Sequence, residues 1–169
     1  MDFSKIDDEF AKEIIRAAET NLSGQVIVAT SADQRAAVMA SVFAAAGAAL
    51  IVGMAALTRD FSAGVVAGGF VAGVLFLIGA ALCVKATMPV KFWLGGAEPH
   101  DWADDCKVGR NFVECLSQQA DHLQQRITEN QEIIESNSKW FFWGASIGVA
   151  APFVGLAIWL LPHLCRVLA

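Results

Sequence analysis

Apolar and polar residues fall in long blocks along this chain, and the blocks predict helices. Ala36 to Leu57, Ala63 to Val84 and Trp140 to Pro162 contain no Asp, Glu, Lys, Arg or His. A bilayer hydrocarbon core of about 30 Å takes roughly 20 apolar residues at a 1.5 Å rise, and each window is that long, so three transmembrane helices are expected. Before the first window, Phe3, Ile6, Phe10, Ile14 and Ala17 recur at steps of three and four, with Asp7, Asp8, Glu9, Lys12, Glu13 and Arg16 between them. That spacing predicts an N-terminal amphipathic helix, loosened at Gly24 and resuming from Gln25. Between the second and third windows, Val113, Leu116, Ala120, Leu123, Ile127, Asn130, Ile134 and Asn137 keep a heptad spacing. They predict a long coiled-coil-like helix and an oligomer seam, whose two asparagines are polar core positions of the kind that set register. The seam's partner is either the N-terminal helix of the same chain or the same helix of another subunit, and a bundle containing both is the arrangement we favour.

The connections sharpen this layout. Thr58 to Ser62 is too short to join anything but antiparallel neighbours, so windows one and two form a hairpin. Met88 to Trp102 contains Pro89, Pro99 and the Gly95-Gly96 pair, which exclude a continuous helix. The expected fold is therefore an all-α integral membrane protein. A helical region at 1–35 leads into a transmembrane hairpin at 36–84 (36–57 and 63–84). A connector and long helix at 85–139, a third span at 140–162 and a tail at 163–169 follow. Gly64 and Gly68, Gly69 and Gly73, and Ala45, Ala49 and Gly53 have the small-residue spacing that lets helix backbones approach closely. The third span opens on Trp140, Phe141, Phe142 and Trp143, an interfacial anchor. Gly148 and Pro152 within it are candidate gating or hinge positions, because proline removes a backbone hydrogen bond, and Pro152 fits a static bend as well as a hinge.

Composition agrees: hydrophobic residues are 56% and charged residues 17% of the 169, too little polar surface to wrap a soluble core. Ten of the twelve basic residues lie before the first window or between the second and third. The positive-inside rule then puts the N-terminus, connector and long helix in the cytoplasm and the C-terminus outside. The first apolar window follows a charged segment and starts too late for a cleaved signal peptide. The net charge of -5 argues against broad, nonspecific nucleic-acid binding.

Chemistry is sparse. Without a charged residue at membrane depth, a coupled transporter is not expected, whereas a pore gated by apolar side chains is compatible. His100, Asp101, Asp104, Asp105 and Cys106 form the most enzyme-like run, but Asp101 suits a helix N-cap and the acids suit a first turn. No catalytic residue, metal site or cofactor is assigned, and the four cysteines have no ligand spacing. Lys91, Trp93, Trp102, Lys107 and Arg110, with Phe92, combine cations and flat rings that fit phosphate and base stacking. They fit a membrane interface equally well.

An N-terminal helix, the polar Ser31-Ala32-Asp33-Gln34-Arg35 approach to a tight hairpin, a long cytoplasmic helix and a further span resemble the SLATT-type and Pycsar-type membrane effectors of bacterial anti-phage defence. Pro89, Phe92, Gly96, Pro99 and Trp102 are similar to the connector of some relatives. The resemblance implies a homo-oligomer in the bacterial inner membrane that conducts ions under the control of a nucleotide or oligonucleotide, single-stranded nucleic acid included, made by a partner nucleotidyltransferase. The Hailong type, a channel kept shut by DNA oligomers, is one version. From a different class, a noncatalytic membrane scaffold recruiting a protein through its coiled coil fits the same features. A holin is disfavoured by so much organised helix outside the spans.

Overall fold

The computed structural model describes residues 8–57, 61–96, 109 and 111–168. Among these residues the chain is helical, with no strand, in three elements: α1 (Asp8–Ala56), α2 (Ala63–Ala86) and α3 (Phe112–Leu168). Each is long and apolar enough to cross a membrane.

Two expected helix boundaries are missing. The N-terminal helix and the first window are one helix of 49 residues, and the long helix and the third window are one of 57. Neither polar junction holds a residue that breaks a helix. The hydroxyls of Thr20, Ser23, Thr30, Ser31 and Ser41 each donate to the carbonyl four residues back at 2.8–2.9 Å, so they are satisfied without leaving the helix. Gly24 does not interrupt α1 either; its cost of about 1 kcal/mol relative to alanine is small beside the rest of the helix.

True ends have local causes. After Ala86, the Thr87 amide and hydroxyl both donate to the Val84 carbonyl at 3.0 and 2.9 Å. Pro89 then bars continuation, because it has no N–H and disfavours helix at the residue before it. α3 begins after Gly109, at φ 66°. The Cys115 amide donates to the Asn111 carbonyl at 3.1 Å and the Val113 amide to the Asn111 side chain at 3.4 Å. Asp101, the expected cap, lies outside the described residues.

The described chain divides into two compact units: Met1–Ser31 with Val90–Glu135, and Ala32–Pro89 with Ser136–Ala169. In the first unit Leu22, Leu123 and Asn130 are fully buried, joined by Ala11, Leu116 and Ala120. The α1 stripe differs from its expected register. Ala11, Leu22 and Gln25 are buried and Ile14, Ile15 and Ala18 half-buried, whereas Phe10 and Ala17 are exposed. The covered stripe is one residue later, about 100° around the helix. Phe3 and Ile6 lie outside the described residues.

On α3, Val113, Leu116, Ala120, Leu123, Ile127, Asn130, Ile134 and Asn137 are all buried or half-buried within the single chain. Gln25 of α1 donates from Nε2 to the Ile127 carbonyl at 3.1 Å. At Gln25 the N-terminal part of α1 thus lies against this seam within the chain. The same spacing continues in the second unit at Phe141, Gly144, Gly148, Ala151 and Gly155.

The second unit is held by glycine contacts around a small core of Ala40, Phe43, Ala80 and Cys83, with Met39, Phe76 and Phe141 packed against it. A Cβ added at Gly79 would stand 2.9 Å from the Gly144 carbonyl oxygen, and one at Gly155 would stand 2.8 Å from that of Gly68. These pairs run α2 antiparallel to α3. On another side of α2, Gly73 faces Gly47 and Ile51, and Gly69 faces Met54. The glycine spacing expected to promote close approach is therefore used on two faces of α2. Ala45 and Ala49 are exposed instead, and a Cβ at Gly53 would meet nothing within 4 Å. No more than 28% of any apolar window is buried inside the chain, so the outer surface of this unit is itself apolar.

Candidate ligand site on the connector

The connector between α2 and α3 is described as far as Gly96, and Trp93 pins it to α3. Asn130, fully buried on α3, reads both backbone groups of Trp93. The Trp93 amide donates to Asn130 Oδ1, and Asn130 Nδ2 donates to the Trp93 carbonyl, each at 2.9 Å. A carboxamide is suited to this, since it donates and accepts side by side. One residue away on α3, Glu129 accepts a hydrogen bond from the Trp93 indole N–H. Arg126 donates to the Gly96 carbonyl at 3.0 Å, and Gly95 lies close against the backbone of Glu19 on α1.

Cations gather on the same ring. Lys91 Nζ stands 3.9 Å from the Trp93 ring centroid and Arg126 Cζ 5.3 Å from it. Alternation along an extended segment puts positions 91 and 93 on one side, and α3 brings Arg126 and Glu129 to them. Two cations against one aromatic ring, with a carboxylate at the indole edge, make a polar corner of the kind that holds phosphate and stacks a base. The ring is partly occupied by these contacts already. Lys91 is exposed.

Of the residues proposed from the sequence, the structure brings Lys91 and Trp93 together. Trp102, Lys107 and Arg110 lie outside the described residues. Gly148 is buried, and a Cβ there would collide with the Phe43 ring, which makes it a packing position. Pro152 is exposed within α3, whose helix runs through it. Arg126 and Glu129 were not foreseen. They are three residues apart on α3 beside the heptad seam, a position that ordinarily signals a solvated flank. Among the described residues no His, Cys, Asp and Glu cluster could hold a metal ion.

Glu129 has a pKa below the usual carboxylate range. The largest cause is the hydrogen bond from Gln125, then that from Trp93, with the Lys91 charge adding to both. A carboxylate with a lowered folded pKa contributes stability above its unfolded value, and loses that contribution as pH falls through the folded one. The Trp93 indole contact is therefore expected to be intact at neutral pH and to weaken only once pH falls below the ordinary carboxylate range. The indole N–H resonance should titrate in this acid range in the native protein and be flat there in Glu129→Gln. Identical titration in both would assign the effect to another carboxylate.

No protein-family model, curated protein or solved structure matches this chain.

Proposed function

We propose that this chain is a multi-pass membrane effector of the anti-phage type it resembles. It works as an oligomer whose apolar helical unit conducts ions, under the control of a nucleotide or single-stranded nucleic acid sensed by the other unit. The observation that carries this reading is that α1 and α3 each pass from one unit into the other as a single helix. A change at the connector side of α3 would pass toward the apolar side along the helix that runs through both. In this reading the N-terminus and connector are cytoplasmic and the C-terminus lies outside. The charge-free windows fit a path closed by dewetting and opened by a modest helix displacement. The cations and ring at Lys91, Trp93 and Arg126 supply chemistry for phosphate and base, and Trp102, Lys107 and Arg110 are further candidates from the sequence.

The test is potassium flux from liposomes holding the purified chain, with mononucleotides and short DNA oligomers added in turn. One ligand class is expected to change flux by roughly tenfold, within the usual range of coupling energies. Lys107→Glu combined with Arg110→Glu should abolish that response while leaving ligand-free flux unchanged. Zero flux under every condition, together with a stoichiometric protein partner retained in mild detergent, would replace the channel with the scaffold.

A further inference from the structure

We infer that the outer face of α1 is the surface through which two copies of this chain meet, parallel and side by side. The inference rests on the oligomeric reading above and names its interface. From Phe10, steps of alternately three and four residues pass along α1 through Ala17, Ile27, Val38, Ala45 and Val52. Every position on this ladder between Phe10 and Val52 is exposed in the single chain. The ladder lies on nearly the opposite side of the helix from the buried positions Ala11, Leu22 and Gln25 and the half-buried Ala18. α1 thus carries two seams of 3.5-residue period, one filled by its own chain and one open. Glu13 is the ladder's one charged residue, and it is paired along the helix with Arg16 at 3.7 Å. The other described charges of α1 stand off the ladder.

Two features select a second copy over lipid as the occupant. Phe10 is 61% exposed and lies roughly seven helical turns before the first apolar window, where no hydrocarbon covers it. A neighbouring α1 covers Phe10 and Val52 alike. Between Val38 and Val52, side chains on this face are also small: Ser41, Ala45 and Ala48 allow close backbone approach, and the Ser41 hydroxyl is satisfied by the Ala37 carbonyl at 2.9 Å. The large exposed residues of α3 there, Trp143 and Phe153 among them, suit lipid. The length is sufficient too. From Phe10 to Val52 the helix runs about 65 Å, and a strip about 10 Å wide gives ~650 Å² per copy, close to the ~800 Å² of a standard interface. Copies in one membrane share an orientation, so identical residues meet in parallel register.

The experiment is disulfide trapping of the full chain in native membranes under mild oxidation. Ala45→Cys is expected to give a dimer band above that of the native chain, and Phe153→Cys is expected to give none. Adding Ala48→Phe to Ala45→Cys should abolish the band while leaving helix content by circular dichroism unchanged, since position 48 is exposed in the single chain. A dimer at Phe153→Cys equal to or stronger than that at Ala45→Cys overturns the inference, and so does a band that survives Ala48→Phe. Trapping at Ala45→Cys without ion flux would overturn the channel and leave this interface standing. Flux with trapping only at Phe153→Cys would do the reverse.

Discussion

Replacing Gly79 with leucine is expected to destabilise the apolar unit by at least about 3 kcal/mol, at or beyond the upper end of ordinary overpacking. The side chain has no direction of escape. A Cβ at Gly79 would meet the Gly144 carbonyl oxygen at 2.9 Å, the Gly148 nitrogen at 3.1 Å and its Cα at 3.2 Å, all backbone of α3. Backbone cannot swing aside as a long side chain can, so α2 and α3 must separate. Separation also loosens the next contact along the pair, where a Cβ on Gly144 would already press on Cys83 Sγ at 2.9 Å. Gly53→Leu is the matching control, because it adds the same side chain to α1 where nothing lies within 4 Å. Unfolding in detergent followed by circular dichroism should show a lowered midpoint for Gly79→Leu and a near-native one for Gly53→Leu. Equal midpoints would mean that the glycine pair does not bear on stability.

Those two glycines show what the sequence reveals and what it hides. Small-residue spacing was visible on α1 and on α2 alike, yet α2 uses it within the chain and α1 presents Ala45 and Ala49 outward. Spacing gives a helix the capacity for close approach. The facing helix decides whether that capacity is used. The apolar windows themselves were legible because a run of some 20 residues without charge has few soluble explanations. Their continuity with the flanking helices was not, since a polar junction such as Ser31 to Arg35 marks a change of surroundings without interrupting the backbone. Register on α1 missed by one residue for a related reason. Ile14 with Ile15, and Ala17 with Ala18, offer two stripes of similar apolarity, and contact with the rest of the unit selects the later one.

Within the candidate site, Lys91 and Trp93 could be read as a cation and a ring two residues apart in an extended segment. Arg126 and Glu129 could not, because their meeting with the connector spans 30 and 36 residues of sequence. The heptad also identified Asn130 as a core position, and the natural meaning of a polar core residue is control of register between helices. In the structure its amide is spent on the connector backbone.

Asn130→Leu is therefore expected to release the connector while leaving α3 helical. Leucine fits a heptad core and favours a helix slightly more than asparagine does, so the helix has no reason to fail. The Trp93 N–H and C=O would each lose their partner at 2.9 Å. At about 1–3 kcal/mol for each unmet group away from water, the docked connector loses roughly 2–6 kcal/mol. Since 1.4 kcal/mol is tenfold in an equilibrium, hydrogen exchange at the Trp93 amide should quicken by about thirtyfold or more. Glu129→Ala removes the indole contact alone and should quicken it far less, because the Asn130 pair remains. Asn130→Asp separates polarity from geometry: it keeps an acceptor for the Trp93 amide, loses the donor for the carbonyl and buries a charge, so it should release the connector as leucine does. Protection at Trp93 that survives both Asn130 variants would leave the indole contact and the Arg126 bond to Gly96 as what holds the strap. If both variants free the connector while α3 stays folded, the polar residue in this seam serves to tie a loop bearing Lys91 and Trp93 to the helix that continues into the apolar unit. A ligand that competes for the Trp93 ring would then act on the same latch.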